Sequence, residues 1–311
     1  MEGGGASAHH VAVVVLSWNG RADTLACLEG VYRSRWWGEL AVIVVDNGST
    51  DGTADAVRAR FPDAVVVVNE RNLGFAEGNN VGIRRALDLG AEHVLLLNND
   101  IDVDPGMVTE LVRAAGRLPD AAILSPLIYY ADPPDLVWFA GARFDPRRGH
   151  QGRHDGYRQR DRGQFSSERV TERGCGAAMF VPRRIFEEVG LLDPELFLHV
   201  EDTEFSLRVR AAGHRIYVVP QAKAWHKVSS ATGGEDSPTI AYYAMRNTLA
   251  VCDRHAPLTG LPAAAREAEA LLAHVAHVRR GSRPVANLRA VAEGWRDWRR
   301  GRLGVRSESV R

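Results

Sequence analysis

Four short runs, VAVVVLS at 11–17, AVIVVD at 41–46, AVVVVN at 64–69 and HVLLLN at 93–98, are apolar almost without interruption, and each ends on a polar or small residue. Stretches with helical spacing, 21–33, 53–60 and 76–89, separate them. Continuous β-branched or Leu-rich runs alternating with helices describe strands buried on both faces, the pattern of a parallel sheet covered by helices. The predicted class is therefore α/β with a mostly parallel central sheet. In open sheets of this kind, ligands sit beyond the carboxyl ends of the strands. Ser17-Trp18-Asn19, Asp46-Asn47-Gly48, Asn69-Glu70 and Asn98-Asn99-Asp100 are thereby delivered to one rim.

The pattern changes after Asp104. A helix is expected over 105–117, with strands near 121–129 and 136–142. Residues 145–173 are almost wholly polar and read as a mobile excursion, since nothing there promises a core. GCGAAMFVPRRIFEEVG then reads as a strand entering a helix, followed by a helix at 202–212 and a strand at 215–219. From 240 onward the chain looks helical. The implied organisation is a disordered 1–10, a donor-side half at 11–104, an acceptor and catalytic half at 105–235, and a basic helical extension at 236–311.

Charge narrows the function classes. The 311 residues carry 39 basic and 39 acidic side chains, and zero net charge argues against a general nucleic-acid binder. The surplus is local: from Arg254 onward twelve arginines face five acids. Val285, Leu288, Val291, Trp295 and Trp298 recur there at helical spacing, which either packs on the main domain or lies on an anionic membrane. Cys27, Cys175 and Cys252 are too widely spaced for a disulfide framework or a zinc site. No signal-like start and no apolar run of ~18 residues is seen, so the expected location is cytoplasmic, with peripheral membrane contact and oligomerisation left open.

Three stretches carry chemistry. In VVDNGSTDGT, Asp46 closes a strand and is either a nucleoside-binding carboxylate or a turn and cap residue. In NERNLGFAEGNN, the asparagines suit ribose or phosphate, while the glycines also suit close helix packing. A dinucleotide fingerprint and a P-loop are both lacking. In LLLNNDIDVDP, Asp100, Asp102 and Asp104 alternate after a buried strand, a spacing of oxygen ligands that suits Mg²⁺ or Mn²⁺ or, more plainly, an exposed acidic turn. Further on, Glu201 and Asp202 stand together at the edge of an apolar run, and His226 follows in AKAWHK. Adjacent carboxylates repel unless something nearby compensates them. A cation and a helix N-terminus are the expected compensation.

Taken in order, VVVLSWNG, VIVVDNGSTDGT, NLGFAEGNNVGI, LLLNND, GAAMFVPR, VGLLDPELFLHVEDTEFSLRVRAAGHRI and VVPQAKAWH resemble family 2 glycosyltransferases of the GT-A fold, and within them the rhamnosyltransferase-like branch. The resemblance implies an inverting, metal-dependent enzyme. It would move a sugar from a dTDP- or UDP-linked donor to a hydroxyl on a glycan, a glycolipid or a small molecule. It places Ser17, Trp18, Asn19, Asp46, Asn72, Gly74 and Asn80, with Asn98 and Asn99, at the nucleotide-sugar. It implies Asp100 as metal ligand with His226, the role of Asp102 being open because Ile101 departs from the usual residue. Asp202 would be the catalytic base, and Glu201 would position the acceptor or Asp202. Gly174 and Gly176 would let backbone approach the sugar. Rival readings are a sugar-nucleotide pyrophosphorylase, which would need a Gly-rich basic loop after the first strand, and a silent nucleotide-sugar-binding module.

Overall fold

In the computed structural model, residues 10–149, 154–228, 237–279 and 281–306 are described. Apart from His10, the N-terminal stretch expected to be disordered lies outside them. The four apolar runs form β1 (Val11–Ser17), β2 (Leu40–Asp46), β3 (Val65–Val68) and β4 (His93–Asn98), joined by α1 (Arg21–Tyr32), α2 (Thr53–Arg60) and α3 (Gly74–Asp88). These four strands are mutually parallel, in the order β3-β2-β1-β4. Register fixes the rim: Ser17 pairs with Asp46 and Leu16 with Asn98, so the polar ends lie level. β1, β2 and β4 bury both faces, because α1 and α2 cover one side and α3 the other, while edge strand β3 is half-buried. Gly82 lets α3 settle directly on Val14 of β1, where any Cβ would collide.

The second half adds β5 (Ile101–Val103), α4 (Met107–Arg117), β6 (Ala121–Tyr130), β7 (Val137–Phe139), β8 (Arg169–Thr171), β9 (Ala178–Pro182), α5 (Arg183–Val189), a 3-10 turn at Pro194–Leu196, α6 (Glu201–Ala211) and β10 (Arg215–His226). The sheet continues as β4-β9-β6-β10-β5, with β7 on β6 and β8 on β10. β9 enters antiparallel between β4 and β6, while β6 and β10 run with the first four strands. The sheet is thus mixed but mostly parallel. The strand expected at 215–219 runs on to His226, because a bulge between Val219 and Lys223 absorbs Pro220 before pairing with β6 resumes.

Segment 145–173 corrects an expectation. Its described part is held by pairing: His154 bridges Ala142, Arg160 bridges Leu136, and β8 pairs with β10. Phe165 packs on a small cluster around Tyr129 and Val137. The Tyr129 hydroxyl donates to Asp161 at 2.5 Å. Polar composition hid this, because the partner strands are distant in sequence; residues 150–153 lie outside the described ones.

The extension folds as α7 (Pro238–His255), α8 (Gly260–Val278) and α9 (Pro284–Arg299). Ser237 caps α7 through the Ile240 N–H. Val291 is buried against α7, and Leu288, Trp295 and Trp298 pack beside it, while Val285 stays exposed. The indole N–H groups of Trp295 and Trp298 donate to Glu267 and Asp253. Most of the tail's apolar stripe is therefore spent inside the protein. Among the described residues, no helix is long and apolar enough to cross a membrane.

Candidate active site

The rim beyond β1, β2 and β3 is a set of turns satisfied by their own side chains. Asp46 is buried, and its two carboxylate oxygens accept from the Ser49 N–H at 2.7 Å and the Ala54 N–H at 3.1 Å. It therefore closes the turn after β2 and the first turn of α2. Ser17 is buried against Thr24, with the two hydroxyl oxygens 2.7 Å apart, whereas Trp18 is exposed. Asn19, with φ of 49°, accepts from the Thr50 N–H at 2.8 Å and so ties the end of β1 to the turn after β2.

Asn72 accepts from the Gly74 N–H, and Asn99 donates to Thr24. Asn98 belongs to the backbone frame, its N–H donating to Ala177 O at 2.9 Å. Asn80 points elsewhere: its amide is paired with both the carbonyl and the N–H of Leu192. Asn47, placed on the rim by the sequence but given no role there, is the hub of this side. Its amide donates to Asn72 and the Gly74 carbonyl and accepts from Asn69 and the Leu73 N–H. Its position inside the DNGS turn was the available signal.

The other side carries unspent polar capacity. Asp100 and His226 are buried at adjoining strand ends, with His226 Nε2 3.1 Å from Asp100 Oδ1. Both ring nitrogens of His226 are buried without a hydrogen bond, and Trp138 meets the ring edge-on. An orphaned imidazole beside a buried carboxylate is the donor pair a divalent cation would use. Two protein ligands fit Mg²⁺ or Mn²⁺, which commonly take one or two side chains and complete their shell with substrate phosphates and water. No group of three or more His, Cys, Asp or Glu residues suited to a metal occurs among the described residues.

Asp102 does not join this pair. In the β5–β10 register Ile101 faces His226 and Asp102 faces Trp225, so side-chain alternation sends Asp102 to the opposite face. There its carboxylate is 58% exposed, with Arg33 3.9 Å away. A cavity of about 470 Å³ lined by Arg33, Asp102, Trp225 and Lys227 opens on that face.

Glu201 and Asp202 begin α6. Asp202 accepts from the Gly176 N–H at 3.0 Å and from the Thr203 hydroxyl at 3.1 Å, and that hydroxyl in turn accepts from buried Arg173 at 3.0 Å. One residue beyond Gly176, the Ala177 carbonyl receives the Asn98 N–H. Asp202 is thus tied, through the two residues leading into β9, to the end of β4 at Asn98, two residues before Asp100. Gly174 and Gly176 serve this packing: a Cβ at Gly174 would strike Ile123, and one at Gly176 would touch Asp202.

Glu201 is buried, and its Oε2 has no hydrogen-bond partner among the described residues. Burial, and then the Asp202 charge, push its acid up to about 8. Glu201 therefore retains its proton at neutral pH, which relieves the repulsion between the adjacent acids. Nearby, burial followed by the Arg173 charge lowers His154 to about 3. Burial likewise lowers His199 to about 4, against the raising influence of Asp202. Both rings are neutral, and Asp202 lies among uncharged imidazoles with one cation behind Thr203. Arg173, His154 and His199 were not singled out in the sequence, two of them because they sit in or beside the polar segment.

A mostly parallel sheet with its polar strand ends, a buried Asp–His pair and a helix-start carboxylate on one rim is the architecture of a GT-A nucleotide-sugar enzyme. Residues 8–243 match the family model described as "Glycosyltransferase like family 2". The chain belongs to that family and is a glycosyltransferase. Among curated relatives, it is 29% identical over 237 residues to the N-acetylglucosaminyl-diphospho-decaprenol L-rhamnosyltransferase of Mycobacterium tuberculosis, covering 70% of this chain and 76% of that one. It is 27% identical over 225 residues to the dTDP-rhamnosyl transferase RfbF of Shigella flexneri, covering 70% and 72%. Among solved structures, the mannosyltransferase PcManGT of Pyrobaculum calidifontis, in complex with GDP-Man and Mn²⁺, superposes with a TM-score of 0.55. The two share 18% identity, over 91% of this chain and 86% of that one; this likeness concerns the fold.

Proposed function

We propose that this enzyme transfers rhamnose, or another hexose or deoxyhexose, from a dTDP- or UDP-linked donor to a hydroxyl on a cell-surface polysaccharide or lipid-linked glycan, with inversion. The observation that carries this reading is Asp202, held by the Gly176 N–H on the same rim as Asp100 and His226. The names of the two rhamnosyl-transferring relatives support the sugar class, and that of the mycobacterial relative supports a lipid-linked acceptor.

In this reading, Asp202 receives the proton of the acceptor hydroxyl as that oxygen attacks the anomeric carbon, a role that contributes about 10²–10⁴-fold. A single displacement at that carbon inverts its configuration. Glu201 keeps its proton below about 8, so it does not compete as a base at neutral pH. Arg173, through Thr203, and Gly176 hold the two Asp202 oxygens in place. Asp100 and His226 would hold Mg²⁺ or Mn²⁺, which as a Lewis acid neutralises the departing diphosphate. The turns built on Asp46 and Asn47 would cradle the nucleoside, with Asn19 and Asn72 facing it.

The test is a panel of dTDP-, UDP- and GDP-sugars, with release of nucleoside diphosphate followed in Mg²⁺ or Mn²⁺. Fastest release from dTDP-rhamnose, abolished by chelation, is expected. Metal-independent release, or no release from any donor with a diphospholipid-linked acceptor present, would overturn the reading.

A further inference from the structure

Residues 196–200, just ahead of α6, have a backbone that side-chain-bearing residues rarely adopt. Phe197 has φ 62° and ψ −60°, His199 has φ 69°, and Val200 has φ 78°. For β-branched Val200 this is an outlier conformation, and the Leu198 N–H closes a tight turn around Phe197 onto Leu196 O at 2.7 Å. Such backbone persists only where its surroundings over-determine it.

The surroundings come from the C-terminal extension. Asn247 of α7 is fully buried, and the two hydrogens of its Nδ2 are shared among three carbonyls of this one turn: Leu196 at 2.8 Å, Leu198 at 2.9 Å and His199 at 2.8 Å. Its Oδ1 accepts from Arg246 Nε at 2.8 Å, which fixes the amide so that its donors face the turn. Arg246, also buried, donates to Leu196 O at 3.2 Å and Gly304 O at 2.7 Å and lies against the Tyr243 ring. Tyr243 in turn stacks on Phe197.

The far side of the turn meets the donor loop. The Phe75 and Ala76 N–H groups donate to Phe197 O at 2.6 and 3.3 Å. Gly74, with φ 84°, is obliged to lack a side chain, since a Cβ would lie 2.5 Å from Phe197. One strained turn therefore touches the donor loop, the catalytic helix and the extension.

We propose that Asn247 is a positioning residue: by holding the 196–200 turn it sets where Asp202 stands relative to the donor loop, which makes the C-terminal extension part of the catalytic apparatus. This rests on Asp202 being the base. Asn247 touches neither substrate nor reacting atoms and acts through backbone alone.

Two variants of the full-length protein test it. Asn247→Ala removes the three bonds. Asn247→Asp keeps the volume and the Arg246 partner but sets a carboxylate oxygen against the three carbonyls. Both should raise amide hydrogen exchange across 196–204 at least about tenfold while β1, β2 and β4 keep their protection. Turnover of dTDP-rhamnose should fall by about 10²-fold, the scale of a roughly 1 Å misplacement, with dTDP affinity in Mg²⁺ within about threefold of the parent.

A merely space-filling Asn247 predicts that Asn247→Asp behaves like the parent in exchange and turnover. That result, or equal weakening of dTDP binding and turnover, would sink the proposal. Asp202→Asn in the same assay separates the two claims. If it remains active, Asp202 is not the base; if it is dead while Asn247→Asp is fully active, only the positioning role fails.

Discussion

Asp46 and Asp202 stand at two stations of the same rim, and their carboxylates are handled differently. Asp46 is sealed by the backbone it serves, with both oxygens taken by N–H groups of the turn and helix that follow it. Asp202 also accepts one hydrogen bond on each oxygen, from the Gly176 N–H and the Thr203 hydroxyl, but it is only half-buried where Asp46 is buried, so a substrate hydroxyl can reach its remaining lone pairs. Around Asp46 and Asn47 the turns are closed by their own side chains. Around Asp202 lie a protonated acid, two imidazoles kept neutral by burial and a backbone forced into positive φ. The turns after β1 and β2 are complete in advance, and the start of α6 keeps polar capacity in hand.

That contrast can be tested hardest at Asp202. Asp202→Asn should lower transfer by at least about 10³-fold and leave nucleoside diphosphate affinity and melting temperature near the parent values, as steady-state kinetics, calorimetry and thermal melts would register. Retained turnover would make Asp202 as structural as Asp46.

A smaller effect belongs to Asp100 and His226. Asp100→Ala should weaken dTDP or UDP binding by about 10–100-fold in Mn²⁺ and hardly at all in EDTA. An equal loss in both conditions would assign Asp100 to the frame rather than to a cation.

Glu201→Gln sharpens the comparison through pH. An acid held near 8 when folded, against 4.5 in the open chain, favours the folded state fully below 4.5. That contribution drains away as pH rises towards 8, because the unfolded chain releases the proton first. The Gln variant cannot titrate, so its melting temperature should gain on the parent between pH 5 and 8, by on the order of 5 °C, and then level off. Parallel melting curves across that range would show that Glu201 ionises as an ordinary acid. Least of all should change on Asp102→Asn: turnover and metal requirement within about twofold of the parent, since the group is exposed and its Arg33 contact is a loose surface pair.

Much of the donor half is legible in the chain, because buried parallel strands write themselves as unbroken apolar runs and the polar residue ending each run marks the rim. The pairing of Asp100 with His226 also follows from motif order. The rest depends on partners remote in sequence. Asp102 sits two residues from Asp100 at a spacing that invites a shared metal, yet pairing with β10 decides which face it takes. Segment 145–173 looks coreless because its pairing partners, Leu136, Ala142 and β10, lie outside it. The entry of β9 between β4 and β6 is equally non-local. A clue to the extension's role was present in YYAMRNTLAVC, where an Arg-Asn pair interrupts an otherwise apolar helix face. Buried polar residues in such a place need partners.

Gly304 is bonded twice to the region ahead of α6, its carbonyl accepting from Arg246 and its N–H donating to Glu195 O. A ribosome therefore has to translate as far as residue 304 before the corner beneath Asp202 can close. Nascent chains with β1 to β4 already made still lack that brace.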